Sequence, residues 1–171
     1  MSSAAGVALE GSESGVSGLE GKYLTFTLGN EEYGVGILKV REIIGLMEIT
    51  AVPHTPPHTK GVINLRGRVI PVIELRLKFG MEKQEYNERT CIIVVEVQGK
   101  NGSIQVGMLV DSVSEVLNIT AQEIEPPPAF GSSDFEMEYI LGMGKVKGKV
   151  KILLDIDCVV SEGDLERFEQ G

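Results

Sequence analysis

Two histidines, His54 and His58, flank Thr55-Pro56-Pro57 and are the first candidates for metal or acid–base chemistry. Two histidines four residues apart can bind one metal ion when they share a helix face. Two prolines between them disfavour a regular helix, and no third ligand is evident in the neighbouring sequence. We therefore predict no metal site and no catalytic residue here. A small metal-dependent or histidine-based hydrolase is the alternative.

Motifs for other enzymatic chemistry are missing from the sequence. It has no Gly-x-Ser-x-Gly elbow and no phosphate loop that ends in Gly-Lys-Ser/Thr. Gly142–Gly148 superficially resembles a dinucleotide-binding loop, but its third glycine is one place late and it leads into a predicted strand. The sequence therefore predicts a protein that binds rather than catalyses, with no cofactor.

A different kind of chemistry is offered by Asn64-Leu65-Arg66-Gly67, which is predicted to be a hairpin turn. The guanidinium group of Arg66 is planar and suited to bidentate pairing with a carboxylate. Arg66 is thus a candidate for contact with a protein partner. The alternatives are that Arg66 is an ordinary exposed charge and that Asn64 is only a turn residue.

The segment around Arg66 is present twice, because Gly61–Leu75 aligns with Gly142–Ile156 without a gap. Both copies start with glycine, carry a basic-Gly-basic triplet at the same place, and continue through valine into an apolar strand. The shared glycines predict positive φ or close backbone approach. The shared valine is predicted to lie in the core. The aligned pairs are Gly61/Gly142, Arg66/Lys147, Gly67/Gly148, Arg68/Lys149 and Val69/Val150.

The remaining pattern predicts that each copy contains five short strands and a short helix. In the first copy we predict strands at Tyr23–Leu28, Glu31–Val35 and Met47–Val52, with a helix at Ile37–Ile44. Residues 110–117 show the same three-and-four apolar spacing in the second copy. Curling each set of strands into a barrel would remove exposed edges. We predict an all-β fold with two packed, five-stranded, SH3-like barrels.

The same patterns predict how the chain is divided. We expect a disordered tail at residues 1–20, a domain at 21–160 and a short C-terminal helix or tail at 161–171. The domain is expected to contain two barrel subdomains, roughly 21–85 and 90–158, and exchange of terminal segments between them is possible.

Composition excludes some kinds of partner. The net charge of −9 argues against nucleic-acid binding and adhesion to anionic membranes. No secretion signal or membrane-spanning run is evident, so a cytoplasmic location is expected. Cys91 and Cys158 are predicted to be buried in strands, and a disulfide remains possible.

Several segments together resemble the CheW family of bacterial chemotaxis coupling proteins, from about Tyr23 to Val160. They are Phe26–Gly34, Ile37–Ile43, Lys60–Gly67 and Val69–Leu75. The resemblance implies two SH3-like barrels and an adaptor without catalysis. It would link the cytoplasmic tips of transmembrane chemoreceptors to the histidine kinase CheA. The alternative of a generic SH3-like peptide-binding module is weaker, because the chain has no Trp and few other aromatic residues.

The same resemblance implies which residues contact the partners. Receptor contact is expected at Val40, Glu42, Gly61 and Arg66, with Val110 and Val113 near a second wall of an inter-barrel groove. The turn residue Asn64, beside Arg66, is included among the candidate receptor-binding residues. Kinase contact is expected at the barrel ends, around Leu117 and Ile119. The His/Pro-rich connector Pro53–His58 departs from the family pattern.

Overall fold

The computed structural model describes residues 18–99, 102–127 and 138–160. The predicted tail at residues 1–20 and the predicted C-terminal helix therefore fall mostly outside the described residues. The described chain contains two sheets and only short helices, which confirms the all-β fold class. No helix in the described part of the chain is long and apolar enough to cross a membrane.

Eleven strands and four short helical segments make up the described structure. The strands are β1 Gly21–Leu28, β2 Glu31–Gly36, β3 Val40–Gly45, β4 Thr59–Leu65, β5 Arg68–Glu74, β6 Cys91–Gly99, β7 Gly102–Val110, β8 Ser112–Ile119, β9 Ile124–Glu125, β10 Ile140–Val146 and β11 Lys149–Leu154. The helices are α1 Leu75–Lys78 and α2 Ile156–Val159, with 3-10 turns at Ile37–Lys39 and Ala121–Glu123.

The doubled sequence folds into two equivalent hairpins, β4–β5 and β10–β11. Each has a register shift near its start, between Thr59 and Gly61 in one and between Ile140 and Gly142 in the other. Each turns through two residues of positive φ, Arg66 and Gly67 at 53° and 87°, and Lys147 and Gly148 at 55° and 77°. Two successive positive φ angles are the geometry of a type I′ turn. The predicted backbone requirement at Gly67 and Gly148 is confirmed.

Gly61 is required for a different reason. It has a φ of 148°, and a Cβ placed there would lie 2.1 Å from the carbonyl oxygen of Thr50. Thr50 exchanges two backbone hydrogen bonds of 2.8 Å with Val62. At the equivalent Gly142, a Cβ would lie 3.0 Å from the carbonyl oxygen of Glu125. Glycine thus allows a neighbouring segment to pass close to each hairpin.

The two sheets do not follow the division of the chain at residues 85–90. The six-stranded sheet has the order β8-β1-β2-β11-β10-β9, and the five-stranded sheet has the order β3-β6-β7-β5-β4. Each sheet is therefore completed by a hairpin from the other repeat. β11 pairs in parallel with β2, and β5 pairs in parallel with β7. The predicted count of five strands applies to one sheet, because the two-residue β9 adds a sixth strand to the other.

The strands are apolar on both faces because each sheet contacts two cores. On β6, Ile92 and Val94 belong to a cluster inside the five-stranded sheet, whereas Ile93 and Val95 belong to the large cluster shared by both sheets. Phe26 of β1 is fully buried in the shared cluster. Two buried faces account for the uninterrupted apolar run Ile92–Val95 in the sequence.

Three predicted elements differ in the structure. Ile37–Ile44 is a single 3-10 turn followed by β3, and the apolar spacing at 110–117 belongs to the end of β7 and to β8. β-Branched residues favour strands, and a bulge between Val40 and Glu42 shifts the alternation so that it imitates helical spacing. The predicted strand Met47–Val52 is reduced to one bridge, between Thr50 and Val62.

The cysteine prediction is wrong for Cys158, which is exposed on α2. Cys91 begins β6 and is half-buried. Both thiols are free, so no disulfide joins them. Burial is the main cause that raises the pKa of each thiol, and a raised pKa keeps a thiol protonated and less nucleophilic.

Two ion pairs fasten the places where the chain crosses between sheets. At the β7–β8 crossing, Asp111 accepts hydrogen bonds from Nε and a terminal nitrogen of Arg76 on α1 (2.8 and 2.7 Å) and from the backbone of Gly29 (2.8 Å). At the β2–β3 crossing, Lys39 donates to Asp157 on α2 (2.8 Å), which also accepts from the backbone of Gln98 (3.1 Å). Arg76 and Asp157 occupy equivalent places in the two repeats, so the two pairs have opposite polarity at these places.

Gly61→Ala is expected to lower the free energy of unfolding by more than about 1 kcal/mol, because alanine is strained at positive φ and its Cβ would collide with Thr50. Hydrogen exchange at the amides of Thr50 and Val62 should also become faster. Denaturant unfolding and exchange measurements test this. Gly142→Ala is the matched control and should cost less, because its φ is not positive. Equal stability of Gly61→Ala and wild type would contradict the prediction.

Asp111 should make folding sensitive to acid. Burial raises the pKa of this carboxyl, but hydrogen bonds from Arg76 and Gly29 lower the pKa by more. The pKa of Asp111 in the folded state is therefore below its ordinary value. A group with a lowered folded pKa stabilises the fold above its unfolded pKa of about 4, and that stabilisation is lost as pH falls through the folded pKa. Wild type should therefore be more stable than Asp111→Asn at pH 7, and the gap should close in acid. A pH-independent gap in urea denaturation would contradict this.

Candidate functional site

The turn between β4 and β5 places Arg66 at the surface. The side-chain oxygen of Asn64 accepts a 2.8 Å hydrogen bond from the backbone N–H of Gly67, which holds the turn in shape. A terminal nitrogen of Arg66 donates to the carboxylate of Glu42 on β3. The Arg66 side chain is 68% exposed, so the remaining donors of its guanidinium face solvent.

The pair of Arg66 and Glu42 also shows that the five-stranded sheet is strongly curled. β3 and β4 lie at opposite ends of the strand order, yet the β4–β5 turn reaches the side chain of β3. Ile44 from β3 and Leu65 from β4 pack against the same apolar cluster. The ion pair therefore lies where the two edges of the sheet approach each other, as the barrel prediction requires.

Exposed apolar side chains lie on the same elements as this ion pair. Ile43 follows Glu42 on β3 and is 45% exposed, and Val69 on β5 is 68% exposed. Val69 was predicted to lie in the core, and that prediction is wrong because the residue faces outward beside the turn. Glu42, Ile43, Arg66 and Val69 are called the first patch below. An aliphatic pair with a cation and a carboxylate suits contact with a protein surface.

A second ion pair fixes β3 on its other side. Arg41 binds the carboxylate of Glu96 on β6 with an N–O distance of 2.6 Å. Hydrogen bonds from Ser103 and Arg41 lower the pKa of Glu96. Glu96 therefore stays ionised at neutral pH, and β3 is tied to its neighbour beside the first patch.

The predicted receptor-binding residues separate into three groups in the structure. Glu42, Asn64 and Arg66 are accessible at one end of the five-stranded sheet, and Val40 is half-buried at the start of β3. Val113 is also half-buried, but it lies on β8 in the other sheet. Gly61 and Val110 are buried and are not accessible at the surface in this conformation.

The predicted kinase-binding residues also differ in accessibility. Ile119 is fully buried in the cluster inside the six-stranded sheet. Leu117 is half-buried at the same cluster and lines a surface depression of about 180 Å³ with Lys147 and Lys149. Of the two residues, Leu117 alone can touch a partner in this conformation.

The repeat places a second patch on the six-stranded sheet, which sequence reasoning missed. β8 occupies the place in this sheet that β3 occupies in the other. Glu115 and Val116 on β8 correspond to Glu42 and Ile43, while Lys147 and Val150 correspond to Arg66 and Val69. Val116 and Val150 are each 51% exposed, so the core prediction for Val150 is wrong too. Glu115, Val116, Lys147 and Val150 are called the second patch; Glu115 and Lys147 line the depression beside Leu117, whereas Val116 and Val150 do not line it.

An apolar cavity of about 250 Å³ opens between the six-stranded sheet and the segment after α1. Its walls include Tyr33, Phe79 and Tyr139, whose neighbouring ring centroids are 5.6 Å apart. None of the predicted site residues lines it. In the repeat alignment Tyr139 corresponds to His58 and Phe79 to Val160, and this difference between the copies was the available signal in the sequence.

The histidines do not form a metal centre in the described structure. His54 is exposed with a φ of 63°, and the backbone carbonyl of His58 accepts a 2.8 Å hydrogen bond from Glu74. Within residues 18–99, 102–127 and 138–160, no group of three His, Cys, Asp or Glu side chains is arranged to hold a metal ion.

Fold and site together define a class of protein: a duplicated, two-sheet β domain with charged hairpin ends. Comparison with known proteins identifies the family. The model of the CheW-like domain matches residues 22–163. This chain belongs to the CheW-like family.

Individual relatives agree with this assignment. The chain is 43% identical to the "Chemotaxis protein CheW" of Klebsiella aerogenes over 84% of each chain. It is 38% identical to the "Probable chemotaxis protein CheW" of Rhizobium etli, over 84% of this chain and 89% of the relative. The crystal structure of the scaffolding protein TtCheW from Thermoanaerobacter tengcongensis has a TM-score of 0.74 and 35% identity, over 83% of this chain and 93% of that one.

The turn contact of Asn64 predicts a measurable stabilisation. Asn64→Ala should lower the free energy of unfolding by about 1 kcal/mol, because the N–H of Gly67 loses its acceptor. Asn64→Asp, which keeps the acceptor, should be close to wild type. At the equivalent place in the other turn, Lys145→Ala should change stability by less than about 0.5 kcal/mol. Denaturant unfolding of the three variants tests the set, and a neutral Asn64→Ala would contradict the structural role.

Proposed function

We propose that this chain is a non-catalytic adaptor that couples the cytoplasmic tips of transmembrane chemoreceptors to the histidine kinase CheA. Membership of the CheW-like family supports the proposal, as do relatives that carry chemotaxis and scaffolding names. The single observation that carries the site is the exposed ion pair of Arg66 and Glu42, which joins two elements at the closing edge of one sheet.

The receptor contact is proposed at the first patch with its neighbours Val40 and Asn64. An apolar segment of the receptor packs against Ile43 and Val69, while the charged pair forms the rim of the contact. Arg66 is suited to this because a guanidinium can bind Glu42 and still donate to a second acceptor. Binding energy in such interfaces is concentrated in a few residues, with arginine strongly represented.

Gly61, Val110 and Val113 support this contact at a distance. Gly61 lets the Thr50 segment pass the hairpin that carries Arg66, and Val110 packs in the core shared by both sheets. Val113 packs against that core from the edge of the six-stranded sheet. Substitutions at these three positions are expected to weaken receptor binding indirectly, by displacing the residues of the first patch.

The kinase contact is proposed at the six-stranded sheet around Leu117, with Ile119 holding β8 in place from inside. An adaptor of this kind works in the cytoplasm and is recruited to receptor arrays at the membrane. Many weak contacts within one array bind cooperatively through their high effective concentration. No hydrolytic function is proposed for His54 and His58.

Arg66→Glu should reduce binding to a receptor cytoplasmic fragment by about tenfold or more, the loss typical of a central interface residue. Receptor control of CheA autophosphorylation should be lost with it. Co-sedimentation with the receptor fragment and a phosphorylation assay measure the two effects. The thermal midpoint should change little, because exposed ion pairs contribute at most about 1 kcal/mol.

The charge-swapped variant Glu42→Arg/Arg66→Glu separates two roles of the pair. If Arg66 contacts the receptor directly, the swap restores the internal ion pair but not receptor binding. Recovery of binding by the swap would show that the pair only holds β3 against the hairpin. Unchanged receptor-stimulated autophosphorylation with Arg66→Glu would overturn the proposed site.

A further inference from the structure

One end of the five-stranded sheet is covered by the segment that follows α1. The ring of Tyr86 packs against the apolar cluster inside this sheet, and its hydroxyl donates a 3.0 Å hydrogen bond to the buried carboxylate of Glu74. The ammonium of Lys60 lies 5.3 Å from the centroid of the same ring. Tyr86 also lines a small depression with Leu109. Residues 81–87 are called the first strap, and they cover the sheet where β4 begins and β5 ends.

Arg76 fastens the first strap to the sheet. Its buried guanidinium donates hydrogen bonds to the backbone carbonyl of Glu82 (3.0 Å) and to the side chain of Gln84 (2.7 Å). The same guanidinium binds Asp111 at the β7–β8 crossing. The position of the first strap is therefore specified by side-chain contacts as well as by the path of the chain.

The equivalent end of the six-stranded sheet carries different side chains. Leu141 stands at the position of Lys60, and Asp155 stands at the position of Glu74. Leu141 is half-buried and packs with Leu19 against the apolar cluster inside this sheet. A leucine in place of a lysine favours contact with an apolar side chain, because the contact removes apolar surface from water. The carboxylate of Asp155 has acceptor positions beyond the 3.1 Å hydrogen bond from the backbone of its neighbour at 157.

This end of the six-stranded sheet also has room for a larger group. In the β5–β7 pairing, Leu109 lies opposite Glu74. Continuing the β2–β11 pairing by one residue brings Gly36 opposite Asp155, so Gly36 stands at the position of Leu109. Among the described residues, no atom outside its chain neighbours lies within 4 Å of a Cβ built on Gly36. The described part of this sheet therefore lacks counterparts of both Leu109 and Tyr86.

The segment that follows α2 has the length and the side chains to fill this place. α2 follows β11 as α1 follows β5, and the repeat alignment places Arg167 at the position of Tyr86, with Phe168 next to it. Leu165 and Phe168 are the large apolar residues in the sequence of 161–171. They are three residues apart, which places two side chains on one face of a helix. The path from α2 to Arg167 is as long as the path from α1 to Tyr86, so this segment can reach the same end of its sheet.

We propose that residues 161–171 are a second strap, which docks on the six-stranded sheet where β10 begins and β11 ends. Phe168 packs against Leu141 and Leu19 in the space beside Gly36. Arg167 donates to the carboxylate of Asp155, a charge-assisted hydrogen bond in place of the one that a tyrosine makes in the other repeat. The second strap is a contact within the chain, so it goes beyond the proposed adaptor function and does not depend on it.

A disulfide trap tests where the second strap docks. Leu141→Cys/Phe168→Cys is made in the full chain with Cys91 and Cys158 replaced by serine. A disulfide needs Cβ atoms about 4 Å apart, so mild oxidation should close the bond within one molecule in most of the protein. Val69→Cys/Phe168→Cys is the matched control and should stay reduced, because Val69 is exposed on the other sheet. Non-reducing electrophoresis and peptide mass spectrometry measure both.

The outcomes of the trap separate the possible occupants of this end. A bond between two molecules would show that a second copy of the chain docks here, and it would overturn the proposal. Equal oxidation of the test pair and the control pair would also overturn it, because the segment would then have no fixed place. A reduced test pair would mean that another segment or another molecule covers Leu141.

Hydrogen exchange tests the second strap in the chain without introduced cysteines. The amides of residues 165–168 should exchange at least about tenfold more slowly than in a free peptide of residues 161–171, because docked segments are protected by their contacts. Phe168→Ala should remove this protection, whereas Gln170→Ala should keep it. Free-peptide rates in the wild-type chain, or full protection in Phe168→Ala, would contradict the proposal.

Discussion

The structure depends on one constraint: neither repeat can bury its own strands alone. The hairpin β1–β2 completes the sheet formed by the second repeat, and β6–β7 completes the sheet formed by the first. In each sheet, the exchanged hairpin joins the strands of the other repeat through a parallel pairing, β2 with β11 and β7 with β5. Because both sheets also bury one face against the shared apolar cluster, neither repeat is expected to be stable without the other.

This exchange decides where functional surfaces can form. The shared core takes one face of most strands, and the inside of each sheet takes the other. Accessible positions are left at the turns and on the edge strands β3 and β8. Arg66 and Lys147 occupy the turns, while Glu42 and Glu115 occupy the edge strands, so each candidate contact surface joins one turn to one edge.

The sequence predicted the elements that depend on local chemistry. The repeated basic-Gly-basic triplets predicted the two hairpin turns, and the shared glycines predicted their special backbone geometry. The exchange of hairpins depends on pairing between distant residues, which leaves no local signal. β3 and β8 were partly mistaken for helices because bulges near Val40 and Val113 shift their alternation.

Duplication gives this chain a comparison that a single-copy domain lacks. Features required by the fold recur in both halves, as Gly67 and Gly148 do, whereas features under selection for one partner are free to diverge. Arg66 and Lys147 share a backbone conformation but differ in what they can bind. If the fold alone set their identity, either basic residue would serve in either turn. The two turns are therefore equivalent in backbone geometry and different in the contacts that their basic side chains can make.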